Sequence, residues 1–414
     1  MANKIWQTNK SNQLHPLIES YTVGIDYILD QELLGYDIKA SKAHANMLHS
    51  IEIINDEEIA KLIKSLDKLY DEWLSGKFTI KKEYEDGHTA IETYLTEQLG
   101  DIGKKIHTAR SRNDQALVMM RLYMKDKLPK ASESIDEVIT ALQAAAEKAS
   151  NIPMPGYTHM QKAMPTTVAS WLNSYADAFT DTKTIINSTL MTIDQNPLGS
   201  AAGFGVDINI NREHTTKALG FNKTQQNPLY CGLSRGLFEL IAIQSLNPVI
   251  TLAGKFANDM MLFTTEEYNF FSLPESFTTG SSIMPHKHNY DLFEIIRGQA
   301  HAFIGYIVQI QTIYCGTGSG YHRDLQLTKK YTLEAFDTCQ TTIEVLALTI
   351  NNIQINKDVL AESITTEMQS VAQINKLVNQ GVPFRKAYNQ IKDNLNKSKK
   401  SNHDDDGATR QPSA

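Results

Sequence analysis

Residues 291–315 read DLFEIIRGQAHAFIGYIVQIQTIYC. Leu292, Ile296, Gln299, Phe303, Tyr306, Ile310 and Ile313 recur at four and three steps, the spacing of a helix lying along a bundle seam. Stripes of the same helical kind run through Ile135, Val138, Ile139, Leu142, Ala145, Ala146 and Ala149, and through Val249, Leu252, Ala253, Phe256, Met260 and Phe263. Long helical stripes with few strand-like alternations predict an all-α bundle. Closer to the N-terminus, Ile59, Leu62, Ile63, Leu66, Leu69, Tyr70 and Trp73 share one face, with a capped start at Asn55 and Glu58 and a stop at Gly76. These stripes are core packing and call for no cofactor. The chain reads as a helix-rich segment 1–109, a central bundle 110–352 and a small helical segment 353–414. From about residue 392 its last stretch is polar and charged enough to predict disorder.

Immediately before the seam helix stands TTGSSIMPHKHNYD, residues 278–291, which has neither helical nor strand period. Gly280 frees the backbone ahead of two serines, and Pro285 pushes Met284 out of the helical region. Lys287 lowers the cost of negative charge near Ser281, which a serine needs if it is to act as a base. Against this stands a plain alternative, a polar connector with a chance cluster of histidines.

Other irregular segments are weaker singly. KKIHTARSRNDQ, from Lys104, sets Arg110, Ser111, Arg112, Asn113 and Asp114 in a row, and its planar donors suit carboxylate or phosphate oxygens; a charged turn before a helix is the simpler reading. PMPGYTHMQKAMPTT, residues 153–167, reads as an irregular insert around Thr158 and His159, with prolines and a glycine on its flanks. NPLGSAAGFG, residues 196–205, suggests a tight turn or close backbone approach, and is no dinucleotide fingerprint because no strand and no GxGxxG spacing precede it. In CGTGSGYHRDLQLTKK, residues 315–330, Gln326 and Lys329 stand three apart, on one helical face.

Composition narrows the functional classes. The 414 residues carry 40 basic and 47 acidic side chains, a formal charge of −7 that advertises neither nucleic acid nor an anionic membrane. Cys231, Cys315 and Cys339 are odd in number and lack metal-ligand spacing, which predicts a reducing compartment without disulfides or zinc. The N-terminal MANKIWQTNK has no signal-peptide core, and no uncharged apolar run matches a bilayer, so the expectation is a cytoplasmic protein.

In this order, KKIHTARSRNDQ, PGYTHMQKAMP, NPLGSAAG, TTGSSIMPHKHN, YHRDLQ and GVPFRKAY resemble the argininosuccinate lyases of the fumarase and aspartase superfamily, over nearly the whole chain to about residue 390. The resemblance implies a helical, three-domain subunit whose long helices form a twenty-helix core in a homotetramer, with each active site shared between subunits. It implies elimination of arginine from argininosuccinate to leave fumarate, with no metal and no organic cofactor. By match of position, Ser281 takes the place of the base, with Lys287 supporting its alkoxide and the carboxylate. His159 is the other acid/base group, oriented by Glu294, and Asn289 helps to bind the carboxylate. Ser111, Arg112, Asn113 and Thr158 hold the fumarate side; Tyr321, Arg323, Gln326 and Lys329 hold the arginine side; Asp86 and His88 form a further substrate-proximal pair.

Three features depart from the family pattern. The usual loop has a lysine and a proline where this chain has His288 and Tyr290, so the loop's positive potential is expected to fall and its exit to loosen. Ala109 replaces a glycine and is harmless only at negative φ. The C-terminal region is shortened. These departures also suit a catalytically impaired, crystallin-like structural homologue, while a lyase of the superfamily acting on adenylosuccinate, aspartate or malate is a third reading, opposed by Arg112, Tyr321 and Gln326.

Overall fold

A computed structural model describes residues 14–406, with side chains through 397. It is mostly helical, as the stripes predict. Helices α1 (Pro16–Val23), α2 (Asp26–Ser50), α3 (Asp56–Leu74), α4 (Gly87–Leu99) and α5 (Asp101–Lys104) precede the long α6 (Arg112–Lys148). They are followed by α7 (Val168–Ile193), α8 (Arg212–Leu219), α9 (Pro228–Leu233), α10 (Leu237–Phe263), α11 (Asp291–Cys315), α12 (Thr328–Asn351), α13 (Lys357–Glu362), α14 (Ser370–Asn379) and α15 (Phe384–Asp406).

Contacts divide the chain into two compact units, one of residues 1–136, 180–254 and 297–344, the other of 137–179, 255–296 and 345–414. The long helices α6, α7, α10, α11 and α12 each contribute residues to both.

In the first unit α2, α3 and α4 close on a core of Leu34, Ile38, Leu48, Leu62, Leu66, Leu69, Ile91 and Leu95. The capping box at Asn55 and Glu58 is present, and α3 stops at Leu74 ahead of Gly76, whose φ is +71°. On α11, Ile296, Phe303 and Ile310 are buried; Leu292, Gln299, Tyr306 and Ile313 are only half-buried, because the helix also presents Phe293 and Ala300 inward. The α10–α11 approach in this unit depends on Gly254, where a Cβ would lie 2.6 Å from that of Ala300. Helix α10 is long and apolar enough to cross a membrane, but most of its apolar window is buried inside the protein.

The second unit is built on an aromatic stack. Trp171 lies between Phe256 and Phe271 with centroids 5.4 and 5.2 Å away, and Asp259 accepts hydrogen bonds from Trp171 Nε1 (3.0 Å) and Tyr175 Oη (2.7 Å). Segment 153–167 is not irregular: it is an antiparallel hairpin of β1 (Pro153–Thr158) and β2 (Gln161–Thr167). Its prolines sit where a two-stranded ribbon leaves one edge unpaired, and a register shift between Pro155 and Tyr157 absorbs Gly156. The polar tail also differs from expectation. Helix α15 runs to Asp406, and its stripe of Ala387, Ile391 and Leu395 packs with Ile374 and Leu377 of α14; residues 407–414 lie outside the described part.

Candidate active site

In the first unit Asp86 caps α4, its Oδ1 accepting from Thr89 N (2.8 Å) and Thr89 Oγ1 (2.7 Å). His88 enters the first turn of α4 and meets Asp37 of α2, with Nδ1 2.6 Å from Asp37 Oδ2. Burial pushes the imidazole pKa down, but Asp37, helped by Asp86 and Asp30, outweighs it, and the net shift is upward. Arg112, first in α6, donates to Glu85 Oε2 (3.2 Å) and Thr89 Oγ1 (2.9 Å) and lies 3.5 Å from the Asp86 carboxylate.

Arg110 and Asp114 are buried, which a simple charged surface turn does not explain. Asp114 receives three backbone amides: Ser111 at 2.9 Å, Gly199 at 2.9 Å and Ala201 at 3.0 Å. The glycine-rich stretch therefore serves as a backing for the anion-suited segment, with Gly199 at φ +89° turning the chain back to it. Ser111 and Arg112 share a cavity of about 280 Å³ with His88, Thr89, Arg110 and Gln115; Asn113 is half-buried beside them in sequence.

The arginine-side candidates gather against the start of α2. Lys329 Nζ pairs with Asp26 Oδ1 (2.7 Å) and with Asp30. Burial opposes its charge, yet Asp30 and Asp26 outweigh burial and hold the lysine pKa above its usual range. Asp30 is held down by Lys329, His88 and the Gly87 amide in spite of full burial, whereas Asp26 is pushed up, chiefly by burial. Gln326 Nε2 donates to Val23 O (3.3 Å) and Arg323 to Thr22 O (2.9 Å), so Gln326 and Lys329 do face the same neighbour. A cavity of about 420 Å³ opens there, with Arg323, Gln326 and Asp26 in its wall. Tyr321 is 40% exposed and lies under the Arg235 guanidinium, 4.6 Å from its ring centroid. Asp30 ties this group to the other: its second oxygen accepts from Gly87 N at 2.8 Å, one residue before His88.

In the second unit His159 and Met160 form the two-residue hairpin tip, both at positive φ (+53° and +61°), as a type I′ turn requires. His159 is exposed there, next to exposed Thr158. The serine loop is closed by short strands β6 (Thr279–Gly280) and β7 (His288–Asn289), where β3 (Gln195–Asn196), β4 (Lys223–Thr224) and β5 (Phe271–Ser272) are the earlier short strands. Ser281 Oγ accepts from Met284 N at 3.1 Å and more weakly from Ile283 N at 3.4 Å. Asn289 Nδ2 donates to Thr279 O at 3.3 Å, and Thr279 Oγ1 to Asp291 at 2.9 Å. The exit is not loosened by the missing proline: Tyr290 Oη receives the Leu273 amide at 3.4 Å, and its ring meets Phe293. Lys287 and Glu294 are exposed and Ser281 is half-buried, and among the described residues no hydrogen bond or ion pair joins His159 to any of them.

The backbone marks the same segments. Among the described residues, non-glycine positions at positive φ are Glu52, Glu85, Ala109, His159, Met160, Ala201 and Asn269; Ala109, His159, Met160 and Ala201 fall in the candidate motifs, and Glu85 stands next to Asp86. Such strain persists where surrounding structure enforces it, characteristically at functional sites. Ala109, at φ +59°, is thus strained, contrary to the condition under which alanine would be harmless there.

Sequence reading missed Asp26, Asp30 and Asp37. The signal was present, because spacings of four and seven put all three on one face of α2, and acidic residues are rarely buried unless paired. A separate hollow of about 450 Å³ among Tyr36, Tyr70, Trp73 and Lys39 contains none of the candidates.

Comparison with known proteins adds the remaining evidence. The lyase family model matches residues 15–305. Argininosuccinate lyase of Thermotoga neapolitana is 39% identical over 399 residues, spanning 96% of this chain and 100% of that protein. The Stenotrophomonas maltophilia enzyme of the same name is 40% identical over 94% of this chain and 90% of its own. Among solved structures, EDDS lyase in complex with formate superimposes with a TM-score of 0.81 at 22% identity, covering 93% of this chain and 76% of that one, a likeness of fold. With motifs in family order and a full-length match at this identity, the chain belongs to the argininosuccinate lyase family.

Proposed function

We propose that the protein is a carbon–nitrogen lyase that cleaves argininosuccinate to arginine and fumarate, in arginine biosynthesis. The observation that carries this reading is the identity of about 40% to argininosuccinate lyases over nearly the whole chain. The short C-terminal region gives the crystallin-like alternative no separate support, since the Thermotoga enzyme is matched over its full length.

The difficult step is removal of a proton from a carbon next to a carboxylate, which builds a doubly negative, enediolate-like species. Ser281 is the proposed base. Two amide N–H groups directed at its Oγ favour the alkoxide over the alcohol, and Lys287 supplies the nearby positive charge in sequence. His159, at an exposed hairpin tip, serves the departing guanidinium, with Glu294 orienting it in the assembled tetramer rather than within one subunit. Ser111, Arg112, Asn113, Thr158 and Asn289 bind the fumarate-side carboxylates, with Asp86 and His88 close by. Tyr321, Arg323, Gln326 and Lys329, with the acids that face them, bind the arginine side.

The active protein in this proposal is a cytoplasmic homotetramer of three-domain subunits, divided near residues 109 and 352, with catalytic sites shared between subunits. Exposed apolar side chains on the long helices support association: Ile304 and Val308 on α11, and Ile185 and Met191 on α7. Purified tetramer mixed with argininosuccinate should release fumarate, followed by its ultraviolet absorbance; a folded tetramer that leaves the absorbance flat refutes the proposal.

A further inference from the structure

The pair of Asp37 and His88 is hard to explain as a stabilising contact. Asp37 is fully buried, and its Oδ1 has no hydrogen-bond partner among the described residues. A buried ion pair contributes little net stability, and an unsatisfied buried oxygen opposes folding. The pair does, however, stand directly behind the cavity shared by Ser111 and Arg112. Two other lining residues are in the same condition: Arg110, 8% exposed, has an unpartnered Nε, and Gln115, 3% exposed, an unpartnered Oε1. The polar groups behind this wall are thus incompletely satisfied, and Glu92 and His107, 3.1 Å apart, complete the lining. With Nδ1 engaged by Asp37, Nε2 is the imidazole nitrogen that His88 can offer to that cavity.

We infer that Asp37 is a positioning residue: it fixes His88 with Nδ1–H turned to its carboxylate, so that Nε2–H donates to a carboxylate oxygen of a dicarboxylate ligand beside Arg110. The inference rests on the proposed lyase reading and adds the group that orients His88. With a proton on each ring nitrogen His88 is the imidazolium; a donor fixed in this way needs no rearrangement as charge develops on the substrate carboxylate, and a carboxylate behind a histidine holds the ring and favours its charged form.

The test uses the tetramer with Asp37→Asn, His88→Gln and the double variant. Asparagine keeps the shape and one acceptor but removes the charge. Asp37→Asn is expected to lower kcat/KM by about 10- to 100-fold, the range for residues that orient a ligand-binding histidine. The double variant should then be no worse than His88→Gln alone, because both changes act through one group. Calorimetry with fumarate, in buffers of different ionisation heat, supplies a readout that a structural role would not move. Asp37→Asn should bind fumarate with uptake of about one proton per site that the wild type does not take up. Wild-type proton counts and affinity in Asp37→Asn, or losses that multiply in the double variant, overturn the inference. Should Asp37→Asn fail to assemble, His88→Gln decides: fumarate affinity unchanged from the wild type also overturns it. Turnover of argininosuccinate by the wild type is scored separately, so a failure of the lyase reading is distinguishable from a failure of the Asp37 assignment.

Discussion

The two regions that carry the candidate residues are built in opposite ways. In the first unit most of the charged groups are interlocked: buried Lys329 is held by two aspartates, buried His88 by a third, and half-buried Arg112 by Glu85 and Thr89. In the second unit Lys287, His159 and Glu294 are exposed, Ser281 is half-buried, and their contacts are few and local. Binding groups that must hold a charged substrate in one pose gain from being fixed before it arrives, whereas groups that move protons must reach it and release it. A change in the first region should therefore cost both folding and binding, and a change in the second should cost turnover alone.

The sharpest way to break this comparison is Ser281→Ala. Turnover should fall by about 10²- to 10⁴-fold, the share of a general base, with the melting temperature unchanged; a loss of stability of similar size would erase the distinction. Lys329→Met is the counterpart. It strands Asp26 and Asp30 without their cation, and denaturant unfolding should show a loss of about 3–5 kcal/mol.

Proton linkage gives a finer test. Because the folded-state pKa of His88 is raised, its contribution to stability is complete below its unfolded value of about 6.5 and disappears as pH rises through the folded value. The stability gap between wild type and His88→Gln should therefore be widest in mild acid and close with rising pH; a gap that widens instead contradicts the pairing with Asp37. The smallest effect is expected at Ala109. Replacing it by glycine relieves the +59° φ but loosens the unfolded chain, so the net gain in melting experiments is no more than about 1 kcal/mol.

These outcomes also separate what the sequence makes legible from what it does not. Helical stripes were readable because burial imposes a period: Leu62, Leu66 and Leu69 are buried as their spacing predicts, and so are Ile296, Phe303 and Ile310. The motif residues were readable through family resemblance, since no period marks Ser281 or His159. The hairpin at residues 153–167 was hidden by prolines, which suppress any propensity-based strand reading and yet fit an unpaired ribbon edge. Asp30 and Asp37 were passed over because each has a role only through a residue distant in sequence, Lys329 and His88. Tyr290 shows the reverse error. As a missing proline it implied a looser loop, but its hydroxyl ties the loop to Leu273.

Asp114 has a consequence for the order of events during synthesis. Its carboxylate is buried, and burial pushes its pKa up against the three amides that oppose the shift, two of which belong to Gly199 and Ala201. A nascent chain that has emerged only as far as α7 offers Asp114 the Ser111 amide alone. The wall of the cavity at Ser111 and Arg112 must then wait until residue 201 has left the ribosome, several seconds at ordinary translation rates of about 5–20 residues per second. During that interval the RSRND segment is exposed chain, and the cell's holding chaperones and proteases meet it before any substrate does.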